Sequence, residues 1–242
     1  VNLIITSDYV AMSQAAADFV TTTVAVNPTA AAVFPTGNTP IGLYQELSRR
    51  RAQGRFDPSQ LRIFQLDEYL GIGPDDPRSL FGWFHQAFLA PLGLPASQVT
   101  PLVGDAPDPD GACRAFDQAL AAAGGLDLAV LGLGPNGHIG YNEPPAAGDA
   151  PTRVLTLTES SLASAASYFG GREQVPLQAL SMGMAPLLTA RQILLIVSGV
   201  AKREILQRVL RGPITPEVPA SYLQQATNVT VIADRAAWSE LV

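Results

Sequence analysis

Six short apolar runs, at residues 2–6, 30–34, 61–66, 126–133, 192–197 and 228–233, alternate with longer stretches of helical periodicity, and this alternation limits the possible folds most. The run at 126–133 reads as a strand buried on both faces. Strands of that kind are joined by crossover helices into a mostly parallel sheet. The expected fold is therefore an α/β, Rossmann-like open sheet with helices on both faces. With 47% hydrophobic and 15% charged residues, the 242-residue chain is apolar enough to build a large core. There is no internal repeat and no interdomain linker, so one domain over 1–242 is expected.

Composition also narrows function. A net charge of -6 and a pI near 4.8 speak against nucleic-acid binding, which needs clustered Lys and Arg. The only cysteine, Cys113, permits no intramolecular disulfide and no cysteine metal cluster, as expected of a reducing cytoplasm. The opening Val1-Asn-Leu-Ile-Ile-Thr6 reads as a first strand rather than a signal peptide, and no apolar run is long enough to span a bilayer.

Open α/β sheets bind ligands beyond the carboxyl ends of their strands, so the residues there carry the functional information. After the fourth run comes Leu131-Gly-Leu-Gly-Pro-Asn-Gly-His-Ile-Gly-Tyr-Asn-Glu-Pro144, in which Gly132, Gly134, Gly137 and Gly140 allow positive φ angles and close backbone approach to a ligand. This loop presents His138 and Glu143, which are expected to face a substrate together. After the second run, Pro35-Thr-Gly-Asn-Thr-Pro40 leads into a helical pattern, with Thr39 as N-cap and Pro40 as the first helical residue. The free N–H groups there would suit a phosphate above Gly37, although many Thr-Pro helix starts bind nothing. It is not a Walker A loop, because no Gly-Lys-Ser/Thr follows.

The third run ends in Asp67-Glu-Tyr69. Carboxylates at a strand end are often solvated caps, but these have apolar neighbours, and partial burial turns a carboxylate into a useful base. Beyond the fifth run stands Lys202, the only lysine; the other fourteen cations are arginines. A compact ammonium at the sheet's edge suits a phosphate. The histidines, His85 and His138, form no zinc motif, since His85 sits in a helical pattern, and no Gly-x-Ser-x-Gly elbow is present. Residues 145–171 contain few large anchors. They read either as a mobile lid, spanning about 145–175, or as an ordinary alanine-rich surface helix.

Taken together, Phe34-Pro-Thr-Gly-Asn-Thr-Pro-Ile-Gly-Leu-Tyr44, Phe64-Gln-Leu-Asp-Glu-Tyr-Leu-Gly71 and the Asn136-Gly-His-Ile-Gly-Tyr-Asn-Glu-Pro144 run resemble the glucosamine/galactosamine-6-phosphate isomerase family over nearly the whole chain. Related 6-phosphogluconolactonases share the Gly-His portion but typically lack the Asn-Glu-Pro ending. The resemblance implies isomerisation and deamination of glucosamine 6-phosphate to fructose 6-phosphate and ammonia. Alternatives are a lactonase-like hydrolase and a non-catalytic sugar-phosphate sensor.

By the same resemblance, Asp67 takes the C2 proton and returns one to C1, His138 assists ring opening, and Glu143 orients and tunes that histidine. Gly37, Asn38, Thr39 and Lys202 hold the phosphate, with Gly134 in the substrate loop. No cofactor or metal is implied. The partner is an amino-sugar phosphate and the chain a monomer or small homo-oligomer. Two departures stand out. Asn136 replaces an aspartate of some members, leaving the imidazolium less stabilised. Ser167 stands where the family places a phosphate-binding arginine, and Arg172 is the candidate substitute. Allosteric members use basic residues after the Asn-Glu-Pro loop; here Arg153 is present, but Leu155 occupies a lysine position.

Overall fold

The computed structural model describes residues 1–238. Strands β1 (Asn2–Thr6), β2 (Ala31–Phe34) and β3 (Arg62–Gln65) alternate with helices α1 (Tyr9–Val26) and α2 (Ile41–Ala52). The chain continues through β4 (Asp67–Tyr69), α3 (Leu80–Phe84) with a π-helical extension His85–Leu89, β5 (Val99–Thr100), α4 (Pro109–Ala122) and β6 (Leu128–Gly132). Then follow β7 (Arg153–Thr156), α5 (Glu159–Phe169), β8 (Gln178–Ser181), α6 (Met184–Leu188), β9 (Gln192–Val197), α7 (Arg203–Arg211) and β10 (Val229–Asp234). All six apolar runs are strands of one sheet.

That sheet has seven parallel strands in the order β1-β10-β9-β6-β2-β3-β5. Its central runs lack polar positions because both faces are covered. In β6, Leu128 and Val130 join the core under α1, α2 and α3, while Ala129 and Leu131 join the core under α4, α6 and α7. β9 divides the same way, with Leu194 and Ile196 on one side and Ile193, Leu195 and Val197 on the other. Burying so many large aliphatic side chains, at roughly 1.5–3 kcal/mol each, supplies the main driving force for folding.

The strand order reverses between β2 and β6. From β2 the sheet grows through β3 and β5 on one side and through β6, β9 and β10 on the other. The loops leaving two such strands diverge and open a crevice at the carboxyl edge.

A second, antiparallel sheet, β4-β8-β7, lies beyond that edge and was not legible in the sequence. The chain passes from one sheet into the other between Leu66 and Asp67, where the Met182 N–H donates to the Leu66 carbonyl at 2.8 Å. Residues 145–171, read above as poor in anchors, contribute β7 and α5. Leu162, Ala165 and Phe169 of α5 pack with Leu157 and Val175 against Tyr69 and Ile72.

Candidate active site

The crevice holds a cavity of about 350 Å³, within the range of small-molecule sites. Four segments at the carboxyl edge of the main sheet line it: residues 35–40 after β2, Leu66 and Asp67 after β3, residues 132–135 with His138 after β6, and Lys202 after β9. Ser161, Ser164, Ala165 and Tyr168 of α5 form the cover. Seven of the nine sequence candidates, Gly37, Asn38, Thr39, Asp67, Gly134, His138 and Lys202, therefore share one cavity.

Asp67 is buried, and its Oδ1 has no hydrogen-bond partner among the described residues. Burial, reinforced by the charge of Glu68, pushes its carboxyl up to about 7. Such a carboxyl is a much stronger base than a solvated one, yet gives up its proton near neutrality. Glu68 does not share the cavity. Its carboxylate accepts the backbone N–H groups of Tyr69, Leu80 and Phe81, each at 2.9 Å, and so ties the start of α3 to β4.

Glu143 corrects the expectation that it and His138 face the substrate side by side. It lies buried behind the histidine, outside the cavity wall, with Oε2 3.2 Å from His138 Nδ1. That is an ion-pair distance without hydrogen-bond alignment. Thr158 and Ser161 donate hydroxyl hydrogen bonds to Glu143 Oε1, and Asn136 Nδ2 donates to Oε2 at 2.9 Å. Burial alone would raise this carboxyl, but His138 together with the Ser161 and Asn136 bonds outweighs it and holds the group at about 2. Asn136 also lies behind the wall, where its Oδ1 accepts the His138 N–H at 3.2 Å. Both residues contact His138 from behind.

Two glycines are needed locally. Gly37 has φ 98°, a left-handed value. At Gly134 a side chain is excluded by space: an added Cβ would lie 2.2 Å from the His138 ring. Of the four loop glycines expected to have positive φ, only Gly137 and Gly140 do.

The Thr39 cap is not formed. Pro40 occupies the N-cap position of α2 with no side-chain capping bond. Instead the Tyr9 hydroxyl accepts the Gly42 N–H at 2.7 Å and lies 3.1 Å from the Thr39 carbonyl as a donor. A phenol from α1 does work that no local sequence signal announces.

Lys202 is half-buried, and burial lowers its ammonium from the usual value. Ser167 is exposed on α5 and outside the cavity wall. Arg172 is also outside the wall, paired with Glu159, so it does not replace the missing arginine. A different cation, Arg78, does line the cavity. The available signal was its place just before Ser79, which caps α3 through the Gly82 N–H at 2.9 Å downstream of the third strand's end. His85 lies on the π-helical extension, away from the wall.

Comparison with known proteins gives a consistent result. The family model described as glucosamine-6-phosphate isomerases/6-phosphogluconolactonase matches residues 7–232. The chain is similar to a glucosamine-6-phosphate deaminase of Rhodopirellula baltica, at 39% identity over 98% of this chain and 94% of that protein. It is also similar to one of Streptomyces avermitilis, at 41% identity over 85% of this chain and 79% of the other. Among solved structures, a monomeric glucosamine-6-phosphate deaminase superposes with a TM-score of 0.94 at 34% identity, covering 98% of both chains. The 6-phosphogluconolactonase of Trypanosoma brucei shares the fold, with a TM-score of 0.79 at 16% identity over 100% of this chain and 98% of that one.

Proposed function

Because this chain belongs to the family of glucosamine-6-phosphate isomerases and 6-phosphogluconolactonases, we propose that it converts glucosamine 6-phosphate and water into fructose 6-phosphate and ammonia. The observation that carries this reading is Asp67: a buried, unpaired carboxylate oxygen on the wall of the same cavity as His138, with its carboxyl raised to about 7. Aldose–ketose isomerisation needs a base that removes a carbon-bound proton near neutral pH, and this group has the required basicity.

In the proposed sequence His138 assists pyranose opening by moving a proton between the ring oxygen and the anomeric hydroxyl. Glu143, which stays anionic, lies against the imidazole and compensates positive charge that develops on it, while Asn136 holds Glu143 and the His138 backbone. Asp67 then removes the C2 proton of the open-chain aldehyde. The C2–H electrons form a C1–C2 double bond as the carbonyl oxygen takes a proton. Return of a proton to C1 from Asp67 leaves an imine at C2, whose hydrolysis yields the ketose and ammonia. The 35–40 loop and Lys202 hold the phosphate, and Gly134 lets the His138 ring approach the sugar.

A single domain with a cover at about 145–175 accounts for this chemistry. It acts as a monomer or small homo-oligomer, in keeping with the monomeric glucosamine-6-phosphate deaminase that it resembles in structure. No helix among the described residues is long and apolar enough to cross a membrane, and a lone buried cysteine suits a reducing cytoplasm.

The test is deuterium exchange at C2, measured beside ammonia release, for the wild type and Asp67→Asn. The substitution keeps size and loses the base, so exchange and kcat should fall together by roughly 10²–10⁴-fold while KM moves little. Wild-type exchange in the variant would remove Asp67 from this role. A lactone hydrolase needs no C2 base; hydrolysis of a phosphosugar lactone by the wild type without C2 exchange would establish that alternative.

A further inference from the structure

Arg78 has no part in the chemistry above. It stands on the cavity wall, and with Lys202 it is one of two permanent cations among the lining residues. Its guanidinium is already held in place. Nε lies 2.9 Å from Asp76 Oδ1, Nη2 lies 2.6 Å from Asp76 Oδ2, and Cζ sits 5.4 Å from the centre of the Phe169 ring at the end of α5. The backbone beneath is anchored by the Glu68 carboxylate through the Leu80 and Phe81 N–H groups.

Asp76 takes the Nε and Nη2 edge of the fork. No hydrogen bond to Nη1 is made among the described residues, so that edge is left for an anion. An arginine whose rotamer is set beforehand loses little freedom on binding, and its planar fork matches a phosphate better than an ammonium does. The start of α3 also adjoins the loop after β2. Trp83 packs 6.4 Å from the Tyr44 ring, and the Tyr44 hydroxyl donates to the Pro35 carbonyl.

We infer that Arg78 is a substrate-binding residue that grips the sugar's phosphate through its Nη1 edge, together with Lys202 and the 35–40 loop. The inference rests on the sugar-phosphate reading of the cavity and deepens it. Asp76 and Phe169 are the positioning residues for Arg78, which supplies the planar cation that Ser167 does not.

Titration calorimetry with inorganic phosphate at low ionic strength, on the wild type, Arg78→Ala and Arg78→Lys, tests this without turnover. Arg78 is exposed enough (41% of its side chain) for both variants to fold. Phosphate affinity should fall roughly ten- to hundredfold in Arg78→Ala and partly recover in Arg78→Lys, as expected for loss of a charge-assisted contact. KM for glucosamine 6-phosphate should rise by a similar factor while kcat changes less. If Arg78 serves only to hold Phe169, phosphate affinity in Arg78→Ala will equal that of the wild type, and the inference is overturned. A wild type that binds no phosphate overturns it as well. If the wild type releases no ammonia but phosphate affinity still drops in Arg78→Ala, the deaminase reading fails and the role of Arg78 stands.

Discussion

Asp67 carries two linked consequences of its burial. Its carboxyl, raised to about 7 by burial and by Glu68, must be ionised to act as a base, so kcat/KM should fall below about pH 7. A rate profile flat down to pH 5 would contradict that basicity. The same shift opposes folding. Below about pH 4 the group is protonated in both states and costs nothing. As pH rises toward 7 the unfolded chain ionises freely while the folded one resists, so stability is lost across that window. Asp67→Asn removes the penalty and should be the more stable protein at pH 8, by on the order of a few kcal/mol, with the gain vanishing near pH 4. Urea unfolding at the two pH values checks both points. Gly134→Ala should leave the fold intact and lower kcat strongly, because the new Cβ lies 2.2 Å from the His138 ring and must displace it; ring shifts followed by NMR would report the movement. The glycine, histidine and carboxylates were all legible as residues. That Glu143 stands behind His138 was not, because spacing along a loop does not say which side chain meets the solvent and which its neighbour.

Helix α5 shows how an element joins a cover to the chemistry beneath it. Its N-cap, Thr158, lies close enough to accept the Ser161 N–H and donates its own hydroxyl to Glu143 Oε1 at 3.0 Å, so the start of the helix is wired to the carboxylate behind the histidine. Its C-terminal turn ends at Gly170, whose φ of 76° suits only a glycine well. Between these ends, Leu162, Ala165 and Phe169 hold it to the small sheet, a far smaller core than either side of the main sheet has. A helix so attached is expected to open more readily than β6. Hydrogen exchange should therefore be faster at residues 162–169 than in β6 and should slow when glucosamine 6-phosphate is bound. Protection equal to that of β6, unchanged by ligand, would mark α5 as a fixed wall. The helix was one of two readings that the alanine-rich sequence of 145–171 left open, the other being a mobile lid. Strands β7 and β8 were not, since each is only four residues long and β7 is half-exposed, so their pairing rather than their composition makes them strands.

Regulation is a property of the whole molecule. Arg153, the one basic residue retained after the Asn-Glu-Pro loop, is engaged by the Asn142 Oδ1 at 2.8 Å and lies in β7 beside Leu155 rather than a lysine. Hyperbolic kinetics are expected, with no activation by N-acetylglucosamine 6-phosphate. A sigmoidal rate curve abolished by that ligand would show a regulatory site. Local periodicity was enough to place six strands and the helices between them, because burial on both faces writes itself into each run as unbroken apolar character. The glycine loops, the carboxylates at the end of β3 and Lys202 were likewise written into contiguous residues. Which strands become neighbours, and hence that the chain reverses between β2 and β6 to open the crevice there, is decided by how crossover helices pack. The same holds for Arg78, brought to the cavity wall by the buried Glu68 that anchors α3, and for Tyr9, which reaches from α1 to hold the end of the 35–40 loop. Pairings between segments dozens of residues apart leave no mark on either segment alone, so they came into view only with the folded chain.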